Sequence, residues 1–75
     1  MENKGTYVVD VNWEDKDEAI KVAMDAEKRG KCDLGDIESY NGDGIRITSI
    51  YLENCEKNTW LDIERLMKEE GIRVL

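Results

Sequence analysis

The sequence predicts an α+β domain of the ferredoxin-like class, a two-layer sandwich with the element order β-α-β-β-α-β. Three observations predict it. Apolar and polar residues alternate near residues 6–13 and 45–52, as in strands, and apolar residues recur every three or four positions in two other segments, as in helices. In addition, Asn41-Gly42-Asp43-Gly44 is a strong hairpin signal. In this topology the antiparallel sheet has the strand order 4-1-3-2, and both helices cover one face. The 75 residues suffice for one domain, residues 1–75, with a modest core.

The first strand and the first helix have clear boundary signals. Alternation gives the strand one buried face, made of Tyr7, Val9, Val11 and Trp13. Asp15 followed three residues later by Glu18 resembles a capping box, which predicts the start of a helix. The helix is expected to reach about Gly30, because cations followed by glycine suit a helix C-terminus.

The central part of the chain predicts a hairpin. Residues 34–40 are polar enough for an edge strand, and the Asn41–Gly44 turn leads into a strongly β-prone segment at 45–52. In that segment Ile45, Ile47 and Tyr51 share one face, whereas Ile50 and Leu52 lie on the other. Either both faces of this strand are partly covered, or a bulge near Ser49 switches the face.

The last third of the chain predicts a second helix and a short strand. The helix begins near Asn58 or Thr59 and ends at Gly71, with an apolar stripe of Trp60, Ile63, Leu66 and Met67. Residues 72–75 alternate like a fourth strand. The competing interpretation assigns them to coil and leaves three strands and two helices.

Composition restricts the class of partner. Eighteen acidic and eleven basic residues give a net charge of −7, which repels nucleic-acid phosphates and anionic lipid. We therefore expect neither direct nucleic-acid binding nor membrane binding. The N-terminal sequence has no signal-peptide pattern and no segment is long and apolar enough to cross a bilayer, so a cytoplasmic protein is expected.

No residue pattern predicts catalysis, a metal site or a cofactor. The absence of histidine removes the usual serine and cysteine triads as well as histidine metal sites. Calcium ligands from Asp15, Asp17, Asn41 and Asp43 do not fit the spacing of an EF-hand loop. The paired cysteines of copper chaperones, the aromatic strand of RNA-recognition motifs and the phosphate loop of acylphosphatases are also absent.

The predicted topology brings the loop after the first strand and the hairpin tip to the same end of the sheet. The residues gathered there, here called the acidic pole, are Trp13, Glu14, Asp15, Asp17, Glu18 and Asp43. The simpler explanation is that acidic residues complement the helix dipole, with Trp13 and Trp60 in the core or half-buried. The functional interpretation is a surface that docks on a basic protein.

The leading functional hypothesis is a non-catalytic protein-binding module. This hypothesis expects an inhibitor or regulator of the phage type, resembling anti-restriction or anti-CRISPR proteins only in size and charge, whose partner is a basic, nucleic-acid-handling protein. The alternative is a ligand-sensing or structural module that forms a homodimer through an edge of the sheet, at the second or fourth strand.

The hairpin also predicts that Cys32 and Cys55 are neighbours at the end of the sheet opposite the acidic pole. Two separate thiols are favoured in a reducing cytosol, and a disulfide is the alternative.

Overall fold

The computed structural model describes residues 4–75 and forms two layers, a sheet and a pair of helices. The elements follow in the order β1 (Lys4–Asn12), a 3₁₀ turn (Trp13–Asp15), α1 (Lys16–Lys28), β2 (Asp33–Asn41), β3 (Arg46–Glu56) and α2 (Lys57–Glu69).

The sheet is antiparallel, with the order β1-β3-β2 and β3 at its centre. Val9 pairs with Ile50, and Glu38 pairs with Ser49 on the other side of β3. The prediction of an α+β fold with an antiparallel sheet and two helices is therefore confirmed.

The predicted fourth strand, and with it the four-stranded order 4-1-3-2, is wrong. Val74 makes only an isolated antiparallel bridge with Val11. The backbone N–H of Ile72 donates to Met67 O to close α2, and that of Arg73 donates to the carboxylate of Asp15. Because the backbone N–H of Arg73 is bound to Asp15, pairing with β1 does not continue beyond this bridge, and the three-stranded alternative is confirmed.

The faces of β3 are set by its register and by bulges outside its middle. Pairing with β1 runs without interruption from Ile47 to Leu52, so the bulge suggested near Ser49 does not exist. Ile50 and Leu52 are buried beneath the helices, whereas Ile47 is only partly buried on the other face. An extra residue instead enters β3 near Asn54, whose φ is 49°. Because of this bulge, the side chain of Cys55 faces the core, where it is fully buried.

Both helices pack on one face of the sheet, as predicted. The buried residues form a single cluster that joins Ala19, Ala23 and Ala26 of α1, Ile63 and Met67 of α2, and Val9, Val11, Ile50 and Leu52 of the sheet. The buried side of α1 consists of alanines, which lets this helix lie close to the strands. The opposite face of the sheet is uncovered by any element of residues 4–75 and is called the open face.

The start of α1 differs from the predicted capping box. Asn12 accepts a hydrogen bond from Glu14 N–H and opens the 3₁₀ turn, whereas the side chain of Asp15 makes no cap bond. Asp15 is instead bound to Arg73, a residue 58 positions away, and this tertiary contact replaces local capping. Gly30 and Gly71 adopt φ values of 72° and 83° beyond the two helix ends, as expected of C-terminal glycines.

Candidate protein-binding surface

The structure brings the two parts of the acidic pole to the same end of the sheet, where Trp13 and Glu14 share a shallow pocket with Gly44 and Arg46. Trp13 is half-buried and in contact with cations. The ammonium of Lys16 lies 4.3 Å from its ring centroid, and the guanidinium of Arg46 lies 4.5 Å from it. These contacts place positive charge within the predicted negative surface.

Asp15 anchors the C-terminal segment. Its carboxylate accepts hydrogen bonds from the backbone N–H of Arg73 at 3.0 Å and from Arg73 Nε at 2.9 Å, and only 18% of its side chain is exposed. The side-chain hydrogen bond from Arg73 lowers the pKa of Asp15, followed by the backbone hydrogen bond. The acid therefore has a structural partner.

The remaining carboxylates of the acidic pole, those of Glu14, Asp17, Glu18 and Asp43, belong to exposed residues. Asp17 lies 3.7 Å from Lys16 Nζ, and 85% of its side chain is accessible. Exposed pairs of this kind are worth little energy, so they leave these carboxylates available to a partner. Docking at the acidic pole stays a prediction.

The contact between Asp15 and Arg73 predicts a pH-dependent loss of stability. Since the pKa of Asp15 is lowered on folding, its stabilising contribution is present above the ordinary value of 3.8 and is lost as the pH falls through the folded-state pKa. We expect Asp15→Asn to lower the melting temperature near neutral pH and to flatten its decline in acid. Thermal unfolding followed by circular dichroism from about pH 7 to about pH 2 measures both effects. Asp17→Asn is the matched control, and parallel curves for wild type and Asp15→Asn would contradict the prediction.

The open face carries a second group of polar and aromatic residues, which sequence reasoning missed. In the register of the sheet, Asp10 lies opposite Ser49 on β3, and Ser49 lies opposite Glu38 on β2. Ser49 Oγ donates to Asp10 Oδ1 at 2.5 Å, and Tyr40 Oη lies 3.5 Å from Ser49 Oγ. The alternation of Glu38 and Tyr40 in β2 was the available sequence signal.

Tyr51 completes this group. Its hydroxyl donates to Glu38 Oε2 at 3.4 Å. The negative charge of Glu38 is the main cause that raises the pKa of Tyr51, which therefore keeps its proton as a hydrogen-bond donor near neutral pH. We define the open-face cluster as Asp10, Glu38, Tyr40, Ser49 and Tyr51.

The open-face cluster and the acidic pole differ in part in how their charge is balanced. Asp15 and Asp17 of the acidic pole form salt bridges with Arg73 and Lys16, whereas no salt bridge within residues 4–75 includes Asp10 or Glu38. Residues 33–45 contain four acidic residues and no lysine or arginine. The uncompensated negative charge of the sheet therefore lies on β2 and the open face.

Trp60 is half-buried, as predicted, and helps to fix α2. Its ring stacks on Tyr7 with centroids 5.0 Å apart, and its indole N–H donates to Val8 O at 3.0 Å. Both ends of the indole are thus satisfied within the fold, which assigns Trp60 a packing role.

The two cysteines are buried free thiols that contact each other at the end of the sheet opposite the hairpin tip, so their predicted proximity is confirmed. Burial is the main cause that raises both pKa values, and that of Cys55 reaches about 11. Protonated, buried thiols are poor nucleophiles, so the arrangement favours a packing role.

A groove with a volume of about 780 Å³ lies between α1 and α2. Apolar side chains of Val22, Ala26 and Ile63 line it. Its rim carries both signs of charge, since Glu18 and Asp25 line it together with Lys21, Arg29 and Lys31. The groove therefore shows no electrostatic preference for one class of ligand.

Metal and membrane features are absent from the part of the chain that the structure describes. No group of three or more cysteine or carboxylate residues in it is arranged to hold a metal ion. Neither α1 nor α2 has the length and apolar character needed to cross a bilayer.

Comparison with known proteins finds no matching family model, no matching curated protein and no matching solved structure. The function is therefore inferred from the residues of this chain.

Proposed function

We propose that the protein is a non-catalytic protein-binding module whose open-face cluster docks on a basic surface of a partner protein. The observation that carries this proposal is the combination of two tyrosines with the carboxylates of Asp10 and Glu38, neither of which has a cationic partner in residues 4–75.

The composition of the cluster suits protein recognition. Tyrosine is enriched at protein interfaces, because its ring provides apolar area and its hydroxyl provides a hydrogen bond. Tyr40 is 46% exposed, and Val8 on the same face is 37% exposed. A partner can therefore bury apolar area while its cations pair with carboxylates that are already ordered by Ser49 and Tyr51.

The finer proposal concerns the class of partner. A net charge of −7 favours a protein whose basic surface normally holds nucleic acid, in which case docking blocks that surface. The protein would then act as an inhibitor or regulator of a nucleic-acid-handling protein, in the manner of phage-type anti-restriction or anti-CRISPR proteins.

Matched charge variants test the surface. The partner is captured by cross-linking from cells that express the protein, identified by mass spectrometry, purified and titrated by calorimetry. We expect the double variant Glu38→Lys/Tyr40→Ala to weaken binding at least about tenfold, since it reverses one charge and removes one aromatic contact. Binding should also weaken as salt rises from about 50 to about 300 mM, and a DNA or RNA duplex should compete.

The control is Glu69→Lys/Leu61→Ala on α2, which makes the same change of charge and also truncates one large, similarly exposed side chain away from the sheet. A second comparison, Glu14→Lys/Asp17→Lys, probes the acidic pole and leaves the Asp15 anchor intact. Unchanged affinity of the open-face variant would refute the proposed surface. Loss confined to the Glu14 and Asp17 variant would assign docking to the acidic pole instead.

A further inference from the structure

β2 is one of the two edge strands of the sheet, and the hairpin determines which of its backbone groups point away from β3. Gly42 N–H donates to Ile45 O at 2.7 Å, so these residues form a hydrogen-bonded pair across the turn. Hydrogen-bonded and non-hydrogen-bonded pairs alternate along an antiparallel ladder. The N–H and C=O groups of Tyr40 and Glu38 therefore point toward β3.

The intervening residues have the opposite orientation. By the same alternation, the N–H and C=O groups of Ile37, Ser39 and Asn41 point away from the sheet. The contact between Ser39 Oγ and Thr48 Oγ1 at 2.9 Å agrees with this assignment, because side chains approach most closely in non-hydrogen-bonded pairs.

Among residues 4–75, contacts cover only the beginning of this outer edge. Leu34 N–H donates to Glu27 Oε2 at 2.8 Å, so a side chain of α1 closes the first outward group. At the other edge of the sheet, Arg73 and Leu75 form backbone hydrogen bonds with β1. From Ile37 to Asn41, no residue within the described range 4–75 pairs with the outer side of β2.

Side chains around this free edge indicate what kind of strand fits it. Ile37 is 40% exposed at the helix-covered side of the sheet, whereas Glu38 and Tyr40 lie on the open face. Positions 33–45 contain four acidic residues and no basic residue, so an added strand meets the negative charge of Glu38 within the free stretch and of further carboxylates beyond its two ends. A second copy would bring two such acidic segments together, whereas a strand alternating basic and apolar residues complements both features.

We propose that residues 37–41 of β2 bind an extended basic segment of the partner protein as an additional strand of the sheet. The inference rests on the proposed function and names the form of the partner: backbone hydrogen bonds to Ile37, Ser39 and Asn41 provide the register, and cationic side chains lie beside Glu38.

A titration with a synthetic peptide of about seven residues, alternating lysine with valine or threonine, tests the proposal by NMR. We expect the amides of Ile37, Ser39 and Asn41 to exchange with solvent at least about tenfold more slowly with the peptide bound, because their N–H groups become hydrogen-bonded. The amide of Leu34 is the internal reference, since its N–H is already bonded to Glu27.

Two altered peptides separate strand addition from attraction between charges. The same peptide with N-methyl groups on alternate amides keeps every charge but cannot complete the ladder, so it should lose the protection and at least about tenfold in affinity. A version with glutamate in place of lysine should not bind. In the protein, Ser39→Pro removes one outward N–H at an edge position, where proline is tolerated, and should weaken binding. If Ser39→Pro fails to fold, the comparison of peptides on the wild-type protein still decides.

The outcomes distinguish this inference from the proposed function. Equal binding of the N-methylated peptide, or no protection at the three amides, would overturn strand addition while leaving docking of a basic protein on the open face intact. Protection of these amides without peptide, together with a dimer in sedimentation, would show that a second copy occupies the edge and would also overturn it. The proposed function is tested separately, by the titration of the partner with Glu38→Lys/Tyr40→Ala.

Discussion

Replacing Ile50 by alanine is expected to lower the free energy of unfolding by about 2–5 kcal/mol. Ile50 is fully buried on the central strand, opposite Val9 on one neighbour and Ile37 on the other, and both helices contribute to the cluster around it. Truncation of its side chain leaves a cavity between the sheet and the two helices, which the surrounding residues cannot fill. Small domains have stabilities near the lower end of about 5–15 kcal/mol, so Ile50→Ala should be partly unfolded at 25 °C.

Urea denaturation followed by circular dichroism and tryptophan fluorescence measures this change. Ile47→Ala is the matched control, because Ile47 lies on the same strand, loses the same atoms and belongs to the open face, where it is only partly buried. We expect it to cost about 1 kcal/mol. Equal losses for the two variants would mean that the helices do not cover a single face of the sheet.

The strands and helices were predictable because their apolar periods agree with their local signals. Val9 and Val11 alternate, Ile63 and Met67 are four residues apart, and glycines mark both helix ends. The bulge at Asn54 was harder to predict, since one residue with φ of 49° changes the facing of Cys55 without altering composition. Asn54 itself was the available signal, because asparagine tolerates this conformation.

The balance of charge at the acidic pole could not be predicted from the sequence. The sequence identified the cluster of carboxylates, and the topology placed the turn beside the hairpin as expected. Arg73 and Arg46 supply positive charge at the acidic pole. They are distant in sequence from Asp15 and Trp13 and contact these residues only in the folded chain. The open-face cluster was hidden for the same reason, since the relation of Glu38 to Tyr51 requires the register of the hairpin.

Removal of residues 72–75 is expected to destabilise the protein by about 3–6 kcal/mol, although this segment is not a strand. Ile72 is 3% exposed and belongs to the core cluster. The same deletion removes the hydrogen bonds of Asn12 N–H to Arg73 O and of Leu75 N–H to Asp10 O, and it leaves the carboxylate of Asp15 without its partner. Burial of one isoleucine and several hydrogen bonds together account for the expected magnitude.

The free energy of unfolding of the chain ending at Gly71 is compared with that of Leu75→Ala, whose side chain is 57% exposed and whose backbone hydrogen bond is retained. We expect Leu75→Ala to remain within about 0.5 kcal/mol of wild type. Native-like stability of the shortened chain would show that residues 72–75 are dispensable. A large loss would show instead that an irregular segment, held by one bridge and the carboxylate of Asp15, contributes as much to the stability of the fold as a regular element would.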